Sequence, residues 1–247
     1  MRLPIKISPD NIKDSFVEVK YLSSLPFEVL VGYFYNALSE NYFYTNQPKQ
    51  SKKQNQLIAN IPHEITFNLG GLNFFYSDKL KIQIQQNSII FNCTDTYIGW
   101  NEYKEEMQNA LTKIFTIKEI EVFNRVGIRY ISEYSEVDIK DVTKFEFTFG
   151  IPQIKSNTFV FRTEFDWDEF RIIVSLQHKS PVLNAIDRKN MELQQISVID
   201  IDIITEGLEI KNATDLLKKI EVTHSKEKEV FFSILKEEFI QTLNPVY

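Results

Sequence analysis

The stretch "FNRVGIRYISEY", residues 123–134, decides how the rest of the chain is read. It has the β-branched and aromatic residues of a buried strand, yet Arg125 and Arg129 stand two steps either side of Gly127, on one strand face. Three arrangements could account for two fixed charges there: an anion site, a structural ion pair or a solvated face. Gly127 leaves a notch between the arginines, so something should approach that face closely, and a solvated face leaves the missing side chain unexplained. An internal ion pair is the first expectation and an anion site the second.

A partner strand is available in "IDIDII", residues 199–204, which sets Asp200 and Asp202 on one face. Cross-strand opposite charges contribute about 0.2–1 kcal/mol when exposed, and buried ones persist only when fully paired. Asp-x-Asp is also a spelling that some metal-dependent transferases use to hold a cation, but the structural pair explains it with residues already present.

Working outward, "DSFVEVKYL" alternates as a strand, and Pro26 opens a helix with Phe27, Leu30, Val31, Phe34 and Leu38 on its apolar side. Residues 45–62 are rich in Gln, Asn and Lys without a period and read as a mobile loop. Short strands follow at "HEITFNL", "NFFYS", "LKIQIQ" and "SIIFNC", forming an antiparallel meander. A second helix, "NEYKEEMQNALTKIF", leads into the arginine strand. Beyond it, "NTFVFRTEFDW", "FRIIVSLQH" and "ISVIDIDIITEG" are strands, and the amphipathic tail from Asn212 to Asn244 is helical, with a break expected near Thr223 to Ser225. The expected class is α+β, mostly antiparallel sheet with packed helices. Residues 1–142 and 143–247 form two similar halves, or one compact domain.

Composition narrows the function classes. With 43% hydrophobic and 25% charged residues over 247 positions, the chain can bury a sizeable core. A net charge of −6 argues against gripping phosphate backbones, so nucleic acid is not a favoured partner. Lys49, Lys52 and Lys53, downstream of Tyr42, Phe43 and Tyr44, are the only basic cluster that pattern could use. Cys93 is the single cysteine, which excludes an intrachain disulfide and fits a reducing cytoplasm. No apolar run is long enough to span a bilayer. His63, His178 and His224 are isolated, and no phosphate-binding glycine loop or nucleophile elbow occurs.

Three places resemble a sporadically distributed family of bacterial proteins of about this length whose function is open. They are the opening "LPIKISPDNIKDSFVEVKY", the Arg-x-Gly-x-Arg-Tyr strand in "NRVGIRYIS", and a tail with His224 and Phe231 or Phe232. The tail departs from the family's Leu-His pair at "EVTHS". The resemblance implies a soluble, mostly antiparallel α+β protein, and the patchy distribution implies mobile-element or phage-defence loci.

One spelling points to catalysis. Pro9-Asp10 followed by Glu18-x-Lys20 has the order of metal-dependent nucleases, in which two carboxylates hold Mg²⁺ and a lysine organises the attacking water. Asp10 lies in a proline-flanked lead, and Asp14, the alternative carboxylate, lies four residues from Glu18, roughly 13 Å along an extended strand. Alternating charge on a strand face explains the same residues. In "RTEFDWDEF" the acidic face of Glu164 and Asp166 backs an aromatic one, the ordinary pattern of outside against inside. With no assembled catalytic set and no required cofactor, the leading expectation is a non-catalytic binding or scaffold subunit. It acts with a protein encoded nearby and self-associates, as a homodimer, through its C-terminal helical segment. A Mg²⁺-dependent nuclease (Asp14, Glu18, Lys20) and a small-anion or nucleotide sensor (Arg125, Gly127, Arg129) are the alternatives.

Overall fold

The computed structural model describes residues 3–47, 73–146, 158–187 and 190–247, and only the backbone for 180–194. Lys49, Lys52, Lys53, His63, the expected strand "HEITFNL" and most of the 45–62 loop lie outside the described residues.

Five strands and two helices come first in the chain. They are β1 (Ile12–Ser23), α1 (Phe27–Leu38), β2 (Phe43–Thr45), β3 (Asn73–Tyr76), β4 (Leu80–Ile84), β5 (Ser88–Cys93) and α2 (Trp100–Ile114). The arginine strand is β6 (Ile120–Ser135). After it come α3 (Ile139–Val142), β7 (Phe159–Trp167), β8 (Phe170–Asp187), β9 (Asn190–Ile210), α4 (Ala213–Ile234) and α5 (Glu237–Thr242). The nine strands form one antiparallel sheet in the order β2-β3-β4-β5-β1-β6-β9-β8-β7. From the central β1–β6 pair the order runs outward through β5, β4, β3 and β2 on one side and through β9, β8 and β7 on the other.

Period-two burial sorts the strands into faces. On β1, Ser15, Val17, Val19 and Tyr21 are buried under the helices, while Asp14, Phe16, Glu18 and Lys20 lie half-buried on the opposite face. Tyr21 meets Phe34 of α1 and Phe123 of β6 edge-on, with ring centroids 5.9 and 6.4 Å apart, an arrangement that adds about 0.5–1.5 kcal/mol to simple burial. This first core takes in α1, α2 and the start of α4 through Leu216 and Ile220. A second core lies over β8 and β9, where Ile172, Val174, Ile201 and Ile203 meet Val230 and Phe232 from the far end of α4. One helix therefore spans both cores.

The sequence reading placed a break near Thr223 to Ser225, and the structure corrects it: α4 is continuous through that point and ends at Ile234, with extended Leu235 as its cap. The hydroxyls there bond back to the helix, Thr223 donating to the Lys219 carbonyl (2.8 Å) and Ser225 to the Glu221 carbonyl (2.9 Å). Tyr42 and Tyr44, considered above as stacking platforms, pack inward; Tyr44 lies 5.2 Å from Phe75. Among the described residues no helix is long and apolar enough to cross a membrane.

The two tryptophans report the two cores separately, Trp100 at the rim of the first and Trp167 on β7. Because α4 and the shared sheet tie the cores together, the wild-type protein should give the same urea midpoint by tryptophan fluorescence and by far-UV circular dichroism. Two separated midpoints would show that the cores unfold independently.

Candidate functional site

The sheet face turned away from the helices is charged at its centre. Register sets Phe16, Arg129 and Asp202 in one row across β1, β6 and β9, Glu18, Gly127 and Ile204 in the next, and Lys20, Arg125 and Glu206 in the third. Asp200 lies one row further along, opposite Ile131.

Arg129 reaches diagonally to Asp200 and makes a two-pronged contact, Nε to Oδ1 at 2.8 Å and Nη2 to Oδ2 at 2.7 Å. Planar guanidinium and carboxylate match in this geometry, and both donors are charge-assisted. Burial works against the Arg129 charge, but the Asp200 hydrogen bonds and the nearby Asp202 and Asp14 carboxylates outweigh it, and the pKa rises. Asp202 titrates at about 6: burial raises it, Arg129 and Arg125 pull it down, and Asp200 pushes it up again.

Arg125 covers the glycine at ordinary van der Waals distance. Its guanidinium folds back over Gly127, where a Cβ would sit 3.6 Å from Nη1 and 3.7 Å from Cζ and Nη2. The notch is thus occupied by the neighbouring arginine. Glu18 and Glu206 flank that guanidinium, with Nε 3.1 Å from the Glu206 carboxylate. Both contacts are ion pairs to the one guanidinium. Burial lowers the Arg125 pKa, with Asp202 and Glu206 opposing. The two arginines serve different carboxylates, and an anion at either one would meet those carboxylates first.

Asp14, Glu18 and Lys20 share a strand face but not a point in space. The Asp14 carboxylate accepts from the Ser15 amide (2.9 Å) and Asn92 Nδ2 (3.5 Å). Its pKa is raised by burial, against the pull of Lys81. Glu18 is held by Arg125, and Lys20 stands in register with Ser88 and Arg125. Asp10 accepts from the Ile12 amide in the lead, at 3.2 Å. Among the described residues no three His, Cys, Asp or Glu side chains converge as metal ligands, Asp200 and Asp202 included.

A second polar centre, missed in the sequence reading, lies beneath the middle of α4. The helix's buried stripe runs Leu216, Ile220, Thr223, Glu227, Val230, so helical spacing carries a carboxylate into the interior. Glu227 is 6% exposed, and burial pushes its pKa to about 8, with only Lys228 opposing. Tyr97, Tyr130 and Tyr134 face it, the first two hydroxyls 3.3 Å apart. One turn earlier His224 stacks on Trp100, ring centroids 3.7 Å apart, and burial lowers its pKa to about 4 against the pull of Glu221. Glu221 ties α4 to α2 by accepting from Trp100 Nε1 (3.1 Å) and Lys104 Nζ (2.8 Å). His178 is likewise buried with a lowered pKa, its Nδ1 3.5 Å from Asp138.

Two expectations follow from these centres. Truncating Arg129 to Met strands a buried carboxylate and should cost about 3–5 kcal/mol in urea unfolding, while Arg129→Met with Asp200→Leu should recover most of that loss. For Glu227 the folded pKa lies above the unfolded one near 4.5, so the native state binds the extra proton and stability falls as pH rises from about 4.5 to about 8. Glu227→Gln should remove that fall, giving little change in melting temperature at pH 4.5 and a gain growing to the order of 3–5 kcal/mol at pH 8. Parallel pH profiles for the two proteins would refute the assignment. No protein-family model matches the chain, and no curated protein matches it.

Proposed function

We propose that this protein is a non-catalytic binding and scaffolding subunit of a bacterial multi-protein system, of the kind carried by phage-defence or mobile-element loci. In this reading it is built as two similar α+β halves and belongs to the sporadically distributed family that its motifs resemble. The observation that carries the reading is the outer side of α1. This helix has a single charged residue, Glu28, and its stripe Val29, Gly32, Tyr33 faces outward, with Val29 50% and Tyr33 39% exposed. Helices on the surface of a globular protein ordinarily carry a charged outer face, and an apolar one marks a contact with another protein. No Cβ-distance neighbour stands over Gly32, so a partner could approach the backbone closely there.

Two other features support binding over catalysis. Both arginines of the charged sheet face are engaged by its own carboxylates, Arg129 by Asp200 and Arg125 by Glu18 and Glu206, and Asp14 and Glu18 of β1 are drawn to separate partners. The C-terminal helix, whose apolar stripe suggested self-association, lays that stripe on its own sheet, so α1 takes its place as the partner-binding surface.

Co-expression with the proteins encoded beside it provides the test. Val29→Glu with Tyr33→Glu should abolish co-purification of the partner at unchanged melting temperature. A Mg²⁺-dependent activity on DNA or RNA that disappears in Glu18→Ala with the fold intact would replace this reading with the enzymatic one.

A further inference from the structure

The polar centre beneath α4 is walled by aromatic rings that meet in a closed circuit. Tyr97 meets Tyr130 (ring centroids 5.5 Å apart), Tyr130 meets His224 (5.8 Å), His224 lies on Trp100 (3.7 Å), Trp100 meets Tyr103 (6.2 Å), and Tyr103 returns to Tyr97 (6.3 Å). The three contacts that do not involve His224 are edge-on, at 86°, 88° and 86°, so the rings turn about one another and do not pile into a stack. Two walls are fixed from outside the circuit, the Tyr103 hydroxyl donating to the Phe91 carbonyl (2.6 Å) and Trp100 Nε1 to Glu221 (3.1 Å). Tyr103 and Tyr130 are buried, whereas Tyr97, Trp100 and His224 are half-buried, so one side of the circuit reaches solvent.

Acceptors at this circuit are left unmet. Glu227 stands three residues after His224 on the same helix face and lies within electrostatic reach of Tyr97 and Tyr130. Among the described residues no hydrogen bond or ion pair reaches its carboxyl, and Lys228, the one charge that pulls on it, makes no ion pair with it. His224 Nδ1 has no hydrogen-bond partner. The Tyr97 and Tyr130 hydroxyls share a single hydrogen bond, 3.3 Å long, and their oxygens keep lone pairs. Buried polar groups are ordinarily satisfied, so neighbouring ones left open together call for a donor from outside the chain.

We propose that the aromatic circuit and Glu227 form a binding site for a small protonated amine, whose N–H groups donate to the Glu227 carboxylate and whose positive charge rests against the surrounding rings. Aromatic faces attract a cation through their quadrupole, and a carboxylate beside them supplies the counter-charge. An anion would meet that carboxyl group, and a divalent metal finds no third His, Cys, Asp or Glu ligand here among the described residues. Glu227 must give up its proton to take the amine, and burial holds its pKa at about 8. Affinity should therefore rise about tenfold per pH unit up to about pH 8 and level off above it. Of the other groups around the site, burial pushes Tyr97, Tyr130, Tyr134 and Cys93 up and His224 down to about 4. Lys104 and Glu221 engage each other at 2.8 Å, and Lys228 on α4 and Asp10 of the lead complete the charged neighbours.

Methylammonium chloride serves as the probe, with sodium chloride at equal ionic strength as the control, and binding is followed by the NMR shift of the Trp100 indole N–H. The wild type should saturate with a dissociation constant on the order of millimolar, the range open to so small a ligand. Glu227→Gln should bind about tenfold more weakly or worse and lose the pH dependence, at a melting temperature no lower than that of the wild type. Tyr97→Leu, at a half-buried wall, should weaken binding about fivefold and keep the pH dependence. Tetramethylammonium, which has no N–H to donate, should bind less tightly than methylammonium. No saturable shift in the wild type, a Glu227→Gln protein that binds as tightly, an affinity that does not rise between about pH 6 and about pH 8, or tetramethylammonium binding as well as methylammonium would each overturn the proposal. Val29→Glu with Tyr33→Glu should leave amine binding unchanged, so failure of this site and failure of the α1 reading are told apart.

Discussion

The antiparallel pairing of β1 with β6 is the constraint on which everything else rests. It joins the two meanders into one sheet, and both cores and α4 are built over that sheet. Because side chains alternate with period two, a slip of one residue would carry Arg125, Arg129 and Glu18 into the helix-covered core and bring Val17, Val126 and Ile128 out of it. The ion pairs on the open face penalise the same slip. Arg129 finds Asp200, and Arg125 finds Glu18 and Glu206, only when β1, β6 and β9 are in the observed register. Half-buried pairs of this kind add little net stability against a well-packed apolar alternative, so their contribution here is to alignment.

A second compromise runs through α4. Uniform apolar packing along its stripe would be the more stable solution, yet Thr223 and Glu227 occupy its centre, where the two cores meet. Glu227 stays neutral at pH 7 because the surrounding tyrosines and the helix exclude water, and that neutrality is maintained against a carboxylate's ordinary preference for ionisation. The flanking residues compensate: Glu221 clamps α2 through Trp100 and Lys104, and His224 lies flat on the same indole. A polar seam held between two apolar cores makes the helix's position specific along its axis, because sliding by a turn would put Glu227 among the aliphatic side chains of either core.

What the sequence disclosed and what it hid follow from range. Local periodicity was enough for "SIIFNC", for the helix after Pro26 and for the faces of β1, since each depends on neighbours two to four residues away. The link between Arg129 and Asp200 was also legible, because charges spaced at strand period leave few other ways to be satisfied. The partners of Arg125 were not, since Glu18 and Glu206 lie on two different strands and only the tertiary register brings them to it. The Gly127 notch was seen, but its occupant was sought on another strand when the long side chain two residues back on the same face could fill it. The helical tail misled on position: its length called for a break, but the break comes at Leu235, between α4 and α5, and the buried stripe continues beneath Thr223 and Ser225. Glu227 was findable by the spacing that marks Ile220 and Val230, had polarity not excluded it from the stripe.

These features bear on how such a molecule could work. Its charges at the sheet centre are engaged with one another and hold strands in place, and the polar groups under α4 hold a helix in place. Apolar side chains without such internal duties lie on the outer side of α1, at Val29 and Tyr33. Under the proposed function, rigid alignment of the sheet and of α4 would hold the outer side of α1 as a preformed surface for another protein.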